Sequence, residues 1–246
     1  MVLDRLSHTA GSVLRVYGRA VYPWAKLASA PLIKRMFDVK VEHEDRVPRF
    51  GPAIVSPNHL SFIDPFFVAL TAPRHVTFIG KAEYWDDWRT RVFFEMAGGI
   101  PVRREDSAQA ATSLDAGVAV LRTGAVLGIF PEGTRSPDGR LYKGKTGAAR
   151  MAVEVGCPII PTGLRGTREL LPKDAKVPGL GPSVTVKYGK PMRVPEDARD
   201  DARTLRTFID ELMCAIAALT GQIYRDRYAY TKRIGQPGPL VPVAPA

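Results

Sequence analysis

Cysteine, histidine and long apolar runs are scarce in this sequence of 246 residues, and each shortage narrows the functions to consider. The two cysteines, Cys157 and Cys214, form no CxxC pair, so the sequence predicts neither a disulfide framework nor a cysteine-based metal site. His8, His43 and His75 have no ligand-like spacing. We therefore expect no metal and no cofactor.

Segments that direct a chain into or across a membrane are also missing from the sequence. Its first residues carry neither the apolar core nor the small-residue cleavage site of a secretory signal. No stretch of 18 uncharged apolar residues predicts a membrane-spanning helix. Two isolated thiols are typical of a reducing compartment. The expectation is a chain that works in such a compartment without crossing a bilayer.

Acidic side chains are absent between residues 5 and 35, where every charged side chain is basic. Apolar side chains recur there at helical spacing, at Leu14, Tyr17 and Val21. Pro23 and Pro31 divide the segment into short pieces. A basic amphipathic segment of this kind, which we place at residues 1–38, is typical of a helix lying in a membrane interface. The alternative is a helix packed on the domain with its basic face in water.

Positive charge dominates the whole chain, with a formal net charge of +10. Such an excess favours nucleic acid, an anionic membrane surface or small phosphorylated substrates, and composition does not choose among them. The 45% content of hydrophobic residues supports one domain of ordinary size, which we place at residues 39–225. Residues 226–246 are basic and then rich in proline, glycine and alanine, so we expect a loose tail there.

Short apolar runs alternate with amphipathic stretches along the central part of the chain. The runs predict strands at 52–55, 76–80, 98–102, 125–130, 158–161 and 184–188. The amphipathic stretches predict helices at 65–72, 84–96, 107–121, 146–155 and 205–219. Strands that alternate with helices indicate an α/β fold with a largely parallel central sheet flanked by helices.

A histidine and a carboxylate follow the first of these predicted strands directly, at His59 and Asp64. Asp64 is a favourable helix N-cap, and Pro65 suits the first helical position, so His59 is predicted in the loop at the carboxyl end of a strand. That edge of an α/β sheet is where ligands bind. An imidazole oriented by a carboxylate is a candidate general base. The alternative is a helix cap beside a hydrogen-bonded loop histidine.

A second polar turn, Phe130–Ser136, follows the clearest apolar run and combines glycine, glutamate and arginine. Glycine lets backbone N–H groups approach an anion, and a guanidinium binds a phosphate with two hydrogen bonds. Lys81 and the pair Arg103 and Arg104 follow other predicted strands. Strand ends that deliver cations towards one His–Asp pair are what a phosphorylated substrate requires.

Four segments occur in a defined order along the chain: Asn58-His59 with Asp64, Gly98–Arg104, Phe130–Arg135 and Pro158–Pro161. Together they resemble the four motifs of the glycerolipid acyltransferases, the 1-acylglycerol-3-phosphate acyltransferase family. The resemblance covers about residues 40 to 190. The first and third motifs are specific in combination, whereas the second and fourth are weak alone.

That resemblance implies an enzyme that moves a fatty acyl group from acyl-CoA or acyl carrier protein to lysophosphatidate, giving phosphatidic acid. It makes His59 the catalytic base and Asp64 its partner. It assigns the acceptor phosphate to Glu132, Gly133, Thr134, Arg135, Lys81 and Arg104, with Asn58 and Ser61 in support. It also implies a peripheral enzyme on the cytoplasmic face of the cell membrane, held by anionic lipid, without a nucleic-acid partner.

Several alternatives stay open from the sequence. The acceptor could be glycerol-3-phosphate or another lysophospholipid, and a non-catalytic basic lipid-binding protein would share the charge. Residues 139–146 satisfy the GxxxxGK[ST] pattern of a phosphate-binding P-loop, but polar residues rather than a strand precede them. Ser61 lies two residues from His59 without a GxSxG elbow, so a supporting role is favoured over that of a nucleophile.

Overall fold

The computed structural model describes residues 30–81, 100–102, 107–172, 175, 178–179 and 182–229, and within 80–113 it describes the backbone alone. The predicted helix at 84–96, most of the segment 1–38 and the end of the tail lie outside the described residues. Arg103 and Arg104 lie outside them as well.

Nine strands and five helices are named here in chain order. The strands are β1 (Val39–Glu42), β2 (Ala53–Pro57), β3 (Val76–Lys81), β4 (Ile100–Val102), β5 (Val126–Gly128), β6 (Leu141–Tyr142), β7 (Ile159–Arg165), β8 (Val184–Tyr188) and β9 (Tyr224–Arg225). The helices are α1 (Asp64–Thr71), α2 (Ser107–Arg122), α3 (Gly147–Val155), α4 (Thr167–Leu170) and α5 (Ala202–Thr220). Short 3₁₀ turns occur at Glu44–Arg46 and Glu196–Arg199.

Seven of the strands form one sheet in the order β1-β8-β7-β2-β5-β3-β4. The five strands from β7 to β4 run parallel to one another, whereas β8 is antiparallel to β7 and β1 is parallel to β8. The predicted α/β fold with a largely parallel sheet is confirmed. Because the five parallel strands share a direction, all their carboxyl ends meet at one edge of the sheet.

Helices cover both faces of the sheet, which explains why its strands are apolar runs rather than alternating patterns. Successive side chains of a strand point to opposite faces. Ile54 accordingly packs in the core layer beneath α2, α3 and α5, and its neighbour Val55 packs in the layer beneath α1. Strand β5 divides in the same way, with Leu127 in the first layer and Val126 in the second.

Residues 30–36 are helical and lie against the second core layer. Ala30, Ile33 and Phe37 pack on that layer, and the Phe37 ring meets the Phe67 ring edge-on with centroids 6.1 Å apart. The opposite side of this helical segment exposes Leu32 and Met36, at 69% and 50%. Among the helices of the described ranges, none has the length and apolarity needed to cross a membrane.

The sequence misses β1 and the second sheet, and it misjudges two strand lengths. The run at 125–130 forms only the three residues of β5, and the run at 158–161 continues to Arg165 in β7. Strands β6 and β9 pair in parallel across about eighty residues of sequence. Two residues are too few to show a period, so neither strand carries a sequence signal.

Candidate active site

The His59 ring and the Asp64 carboxylate are hydrogen-bonded where β2 gives way to α1. Nδ1 of His59 lies 2.8 Å from Oδ2 of Asp64. The same oxygen accepts the backbone N–H groups of Leu60, at 2.6 Å, and Ser61, at 2.7 Å. The Asp64 side chain is fully buried, and that of His59 is 17% exposed. A carboxylate only accepts hydrogen bonds, so Nδ1 is the donor of this bond and carries the proton.

The predicted role of Asp64 as the helix N-cap is wrong. Asp64 is the first residue of α1, and Ile63 occupies the cap position without a side-chain cap hydrogen bond. Instead, the carboxylate points back into the loop before the helix. There it accepts hydrogen bonds from the N–H groups of residues 60 and 61 and from the His59 ring. Its other oxygen, Oδ1, has no partner among the described residues. A single oxygen of Asp64 therefore holds the His59 ring and two backbone N–H groups of the loop.

An aromatic side chain fixes the plane of the His59 ring. The Phe130 ring stacks on it with centroids 3.9 Å apart and an interplanar angle of 19°. Phe130 in turn stacks on Phe78 of β3, at 5.7 Å and 23°. Because Nδ1 faces Asp64, Nε2 is the ring nitrogen left to act on a substrate.

The turn after β5 holds the backbone of His59 at both of its polar atoms. The N–H of His59 donates to Oε1 of Glu132 at 3.0 Å, and the N–H of Ser136 donates to the carbonyl oxygen of His59 at 2.8 Å. Oε2 of Glu132 accepts the N–H of Tyr142 at 3.0 Å. The sheet order makes this possible, because β5 is the direct neighbour of β2.

The Glu132 carboxyl is a bracing group rather than a solvent-facing one. Its residue is only 2% exposed, and both oxygens are engaged by backbone N–H groups. Burial raises its pKa to about 7, although the two N–H donors act in the opposite direction. Sequence reasoning grouped Glu132 with the phosphate contacts, whereas the structure places its carboxyl against the backbone of residues 59 and 142.

Two exposed cations lie at the front of the same turn. Arg135 is exposed, and the Lys145 side chain passes beside Gly133, where an added β-carbon would lie 3.0 Å from its Nζ. Gly133 has a positive φ of 71°, a conformation that favours glycine. No acceptor is found among the described residues for the backbone N–H groups of Thr134 and Arg135. Free N–H groups after a left-handed glycine form an anion-binding concavity.

The P-loop interpretation of residues 139–146 is wrong. The segment contains β6 instead of a continuous loop between a strand and a helix. The N–H of Lys145 donates to the carbonyl of Pro131 at 2.7 Å, and Nζ of Lys143 lies 2.7 Å from Asp226. A phosphate-cradling loop requires consecutive free N–H groups, and this segment uses its own within the fold.

Asn58 and Ser61 support the loop from behind. Oδ1 of Asn58 accepts the N–H of Leu164 at 2.7 Å, and its Nδ2 donates to the Leu164 carbonyl at 3.0 Å. Nδ2 also donates to Oε1 of Gln222 at 2.8 Å, a partner that sequence reasoning missed because it lies 164 residues away. Oγ of Ser61 donates to the carbonyl of Leu171 at 3.0 Å, directed away from the role of a nucleophile.

The two remaining predicted phosphate contacts are less closely defined. Lys81 is the last residue of β3, on the same edge of the sheet, and Arg104 follows β4 beyond the described residues. Within the residues that the structure describes, no cluster of three histidine, cysteine or acidic side chains is arranged to hold a metal ion.

Comparison with known proteins agrees with the geometry of the site. The family model described as Acyltransferase matches residues 38–165. The chain is 31% identical over 150 residues to the chloroplastic 1-acyl-sn-glycerol-3-phosphate acyltransferase LPAT1 of Arabidopsis thaliana, covering 61% of this chain and 41% of that protein. It is 29% identical over 147 residues to a probable 1-acyl-sn-glycerol-3-phosphate acyltransferase of Mycoplasma pneumoniae, covering 58% and 54%. The chain thus spans about half the length of these relatives or less.

A solved structure has the same fold. The crystal structure of the 1-acyl-sn-glycerophosphate (LPA) acyltransferase PlsC from Thermotoga maritima superposes with a TM-score of 0.59 and 25% identity. The match covers 85% of this chain and 77% of that one. The resemblance drawn from the four sequence motifs is confirmed.

Proposed function

This chain belongs to the acyltransferase family, of the 1-acyl-sn-glycerol-3-phosphate acyltransferase type, and on that premise we propose that it acylates lysophosphatidate to phosphatidic acid. The donor is a thioester, carried either by coenzyme A or by acyl carrier protein. The observation that carries the proposal is the 2.8 Å contact between His59 and Asp64, placed beside a turn with free N–H groups and two exposed cations.

His59 acts as the general base. Asp64 holds the proton on Nδ1, so the lone pair of Nε2 takes the proton of the acceptor hydroxyl as its oxygen attacks the thioester carbon. The Phe130 stack keeps the ring in the plane that this transfer needs. A general base placed in this way contributes about 10²–10⁴-fold to the rate.

The C–O bond forms as a tetrahedral oxyanion and the C–S bond then breaks. The departing thiolate takes the proton held by Nε2, or leaves as the anion, because thiol pKa values lie near about 8.5. The N–H groups of residues 59, 60 and 61 are all bonded to Glu132 or Asp64. The donors that stabilise the oxyanion are therefore other than these three N–H groups.

The acceptor phosphate is held by the turn after β5. Arg135 and Lys145 supply positive charge, and the N–H groups of Thr134 and Arg135 supply directed donors. Glu132 serves this site as a positioning residue, because its carboxylate joins the turn to the backbone of His59. Binding the phosphate on the turn thereby places the hydroxyl beside Nε2.

The membrane surface delivers the lipid substrate. Strand β1 runs opposite to β2, so residues 30–38, which lead into it, lie at the edge of the sheet where His59 lies. Leu32 and Met36 are exposed on that helical segment beside Lys34 and Arg35. Apolar side chains flanked by cations favour contact with anionic lipid, and the cytoplasmic leaflet carries such lipid.

The decisive test compares the wild-type protein with His59→Ala. Thiol release from palmitoyl-CoA and formation of phosphatidic acid are measured with lysophosphatidate, and glycerol-3-phosphate serves as a second acceptor. We expect His59→Ala to lower kcat by about 10²–10⁴-fold with an unchanged circular dichroism spectrum. Turnover of the wild type with glycerol-3-phosphate alone would reassign the acceptor.

Ser61→Ala is the matched control, because Ser61 lies in the same loop and, among the described residues, its hydroxyl is hydrogen-bonded only to the carbonyl of Leu171. We expect it to retain activity within about tenfold of the wild type, as expected for loss of one hydrogen bond. Near-normal turnover by His59→Ala, or loss of activity only in Ser61→Ala, would refute the assigned base.

A further inference from the structure

A groove of about 570 Å³ opens directly beside the catalytic loop, lined mainly by residues that follow β7. Leu60, the residue after His59, lines it together with Gly139, Arg165, Arg168, Glu169 and Gln222. The bond from Gln222 Nε2 to the carbonyl of Gly139, at 2.6 Å, and the bond from Asn58 to Gln222 make one wall rigid. The wall is thus tied to the residue that precedes His59.

Two arginines bring uncompensated positive charge to this groove. Nη1 of Arg168 is shielded from solvent, and no acceptor in the described part of the chain bonds it. It is held by packing, since a β-carbon at Gly139 would lie 2.6 Å from it. Arg165 is exposed at the end of β7 and forms no ion pair with any described residue. The one carboxylate of the lining, Glu169, offsets only part of this charge.

The sheet order places the arginines of the groove on the β7 side of His59, and of its lining only Gly139 adjoins the acceptor turn, because its N–H donates to Oγ of Ser136 at 2.9 Å. Strand β2 has β5 on one side and β7 on the other, so His59 lies between the turn after β5 and the segment after β7. Direct acyl transfer requires two substrates to reach one base at the same time. If the acceptor phosphate occupies the turn after β5, the groove after β7 is left for the donor.

We propose that this groove binds the phosphate of the donor's phosphopantetheine arm, with Arg168 and Arg165 as its ligands. The inference rests on the proposed function. Acyl-CoA and acyl carrier protein both carry the acyl group at the end of such an arm, so both present a phosphate at the same distance from the thioester. An arginine fork binds a phosphate through two hydrogen bonds, which a lysine ammonium does not reproduce.

The test measures donor kinetics for the wild type, Arg168→Gln and Arg165→Ala/Arg168→Gln with three palmitoyl thioesters: those of coenzyme A, acyl carrier protein and phosphate-free N-acetylcysteamine. Arg150→Ala, which removes an exposed arginine of α3 outside the groove, is the matched control. We expect Arg168→Gln to raise KM for palmitoyl-CoA about tenfold or more, the double variant further, and Arg168→Lys less. KM for lysophosphatidate and kcat/KM with the N-acetylcysteamine thioester should stay at their wild-type values.

The three thioesters distinguish which phosphate of the donor, if any, the groove binds. A rise for both phosphate-bearing donors supports the arm phosphate as the ligand, whereas a rise for coenzyme A alone places its nucleotide phosphates in the groove. An equal loss with the phosphate-free thioester, a rise in KM for lysophosphatidate, or no change would overturn the proposal.

Titration of the 246-residue chain with coenzyme A separates this proposal from the proposed function. Weaker binding by Arg168→Gln in a protein that transfers no acyl group would keep the groove and refute the acyltransferase assignment. If the wild type transfers the acyl group and Arg168→Gln binds coenzyme A as tightly as the wild type does, the acyltransferase assignment stands and the groove proposal is refuted. A wild type that neither binds coenzyme A nor transfers an acyl group would overturn both.

Discussion

At the scale of single residues, His59 is held at its ring and at its backbone by four different partners. Asp64 takes Nδ1, Phe130 covers the ring face, Glu132 takes the backbone N–H and the N–H of Ser136 bonds the carbonyl. A base restrained in this way keeps its reactive geometry without substrate. The arrangement also concentrates two buried carboxyls around one imidazole, which has consequences for stability.

Glu132→Gln tests the buried carboxyl through the pH dependence of stability. The folded-state pKa of about 7 lies above the ordinary value of 4.5, so between these values the folded state binds more protons than the unfolded state. The contribution of Glu132 to the free energy of unfolding is therefore present at low pH and lost as pH rises through 7. We expect the free energy of unfolding of the wild type, relative to that of Glu132→Gln, to fall by roughly 2 kcal/mol from pH 5 to pH 8.

Urea denaturation of both proteins at the two pH values measures this difference, and Asp197→Asn, a change in the 3₁₀ turn Glu196–Arg199 away from the site, is the control. A constant difference between wild type and Glu132→Gln across the range would contradict a raised pKa.

The cations of the acceptor turn predict a change in KM. Arg135→Ala and Lys145→Ala each remove a charge from the turn that we propose to bind the acceptor phosphate, and we expect KM for lysophosphatidate to rise about tenfold with little change in kcat. Initial rates at fixed donor concentration supply the measurement. Arg140→Ala is the comparison, because Arg140 lies in the same region but pairs with Asp138 at 3.4 Å. An equal rise in KM in all three variants would show that the effect comes from the lost net charge and not from a phosphate site on this turn.

At the scale of elements, the site depends on a side chain that continues a β-ladder. The pairing of β2 with β7 ends at Pro57 and Thr162. Asn58 then bonds both polar backbone atoms of Leu164, and Gln222 after α5 holds the same amide. Strand β2, strand β7 and the end of α5 are thereby fixed together immediately before His59.

Asn58→Ala is expected to lower the free energy of unfolding by about 2–4 kcal/mol, because it leaves the buried N–H and carbonyl of Leu164 without partners. Gln222→Ala removes the two outer bonds, to Asn58 and to the carbonyl of Gly139, and leaves the pairing with Leu164 in place, so we expect a smaller loss of about 1–2 kcal/mol. Chemical denaturation of the two variants beside the wild type provides both values. Equal losses in the free energy of unfolding would show that the bonds between Asn58 and Leu164 add no stability beyond that of the outer bonds.

At the scale of the whole molecule, charge and exposed apolar side chains are distributed unevenly. The net charge is +10, and the exposed Leu32 and Met36 lie on the segment that leads into β1 at the catalytic edge. Phe50, at 88% exposed, precedes β2 and so lies at the opposite edge. Only the first of these two apolar sites is positioned to bring His59 to a lipid surface.

Vesicle binding tests this orientation. We expect Leu32→Ser/Met36→Ser to lower co-sedimentation with phosphatidylglycerol-containing vesicles about tenfold, because each side chain loses its burial in the interface. Removal of residues 1–29 should weaken it further and make binding less sensitive to salt. This truncation spares Ala30, Ile33 and Phe37, which pack on the core.

Phe50→Ser is the control, because it removes an even more exposed apolar side chain from the far edge. Unchanged binding in the double variant, or an equal loss in Phe50→Ser, would rule out the catalytic edge as the membrane face.

The sequence by itself determined six strands of the seven-stranded sheet, the α/β class and the residues that meet at the site, since buried parallel strands are continuous apolar runs and the motifs follow them directly. His59, Asp64 and Arg135 all came from such local patterns. Local preference failed at Asp64, where a good N-cap residue gives its oxygen to the preceding loop. The direction of the Asp64 carboxylate is set by the N–H groups and the His59 ring that surround it in the folded chain, and no local sequence pattern predicts it.

Only the tertiary structure decided which segments flank His59. Strand order places β5 on one side of β2 and β7 on the other, so the acceptor turn follows one neighbour of β2 and the arginines of the groove follow the other. Gln222 and the β6–β9 pair reach the site from more than eighty residues away. Such contacts arise from packing between distant elements, and periodicity reports only the face that each element buries.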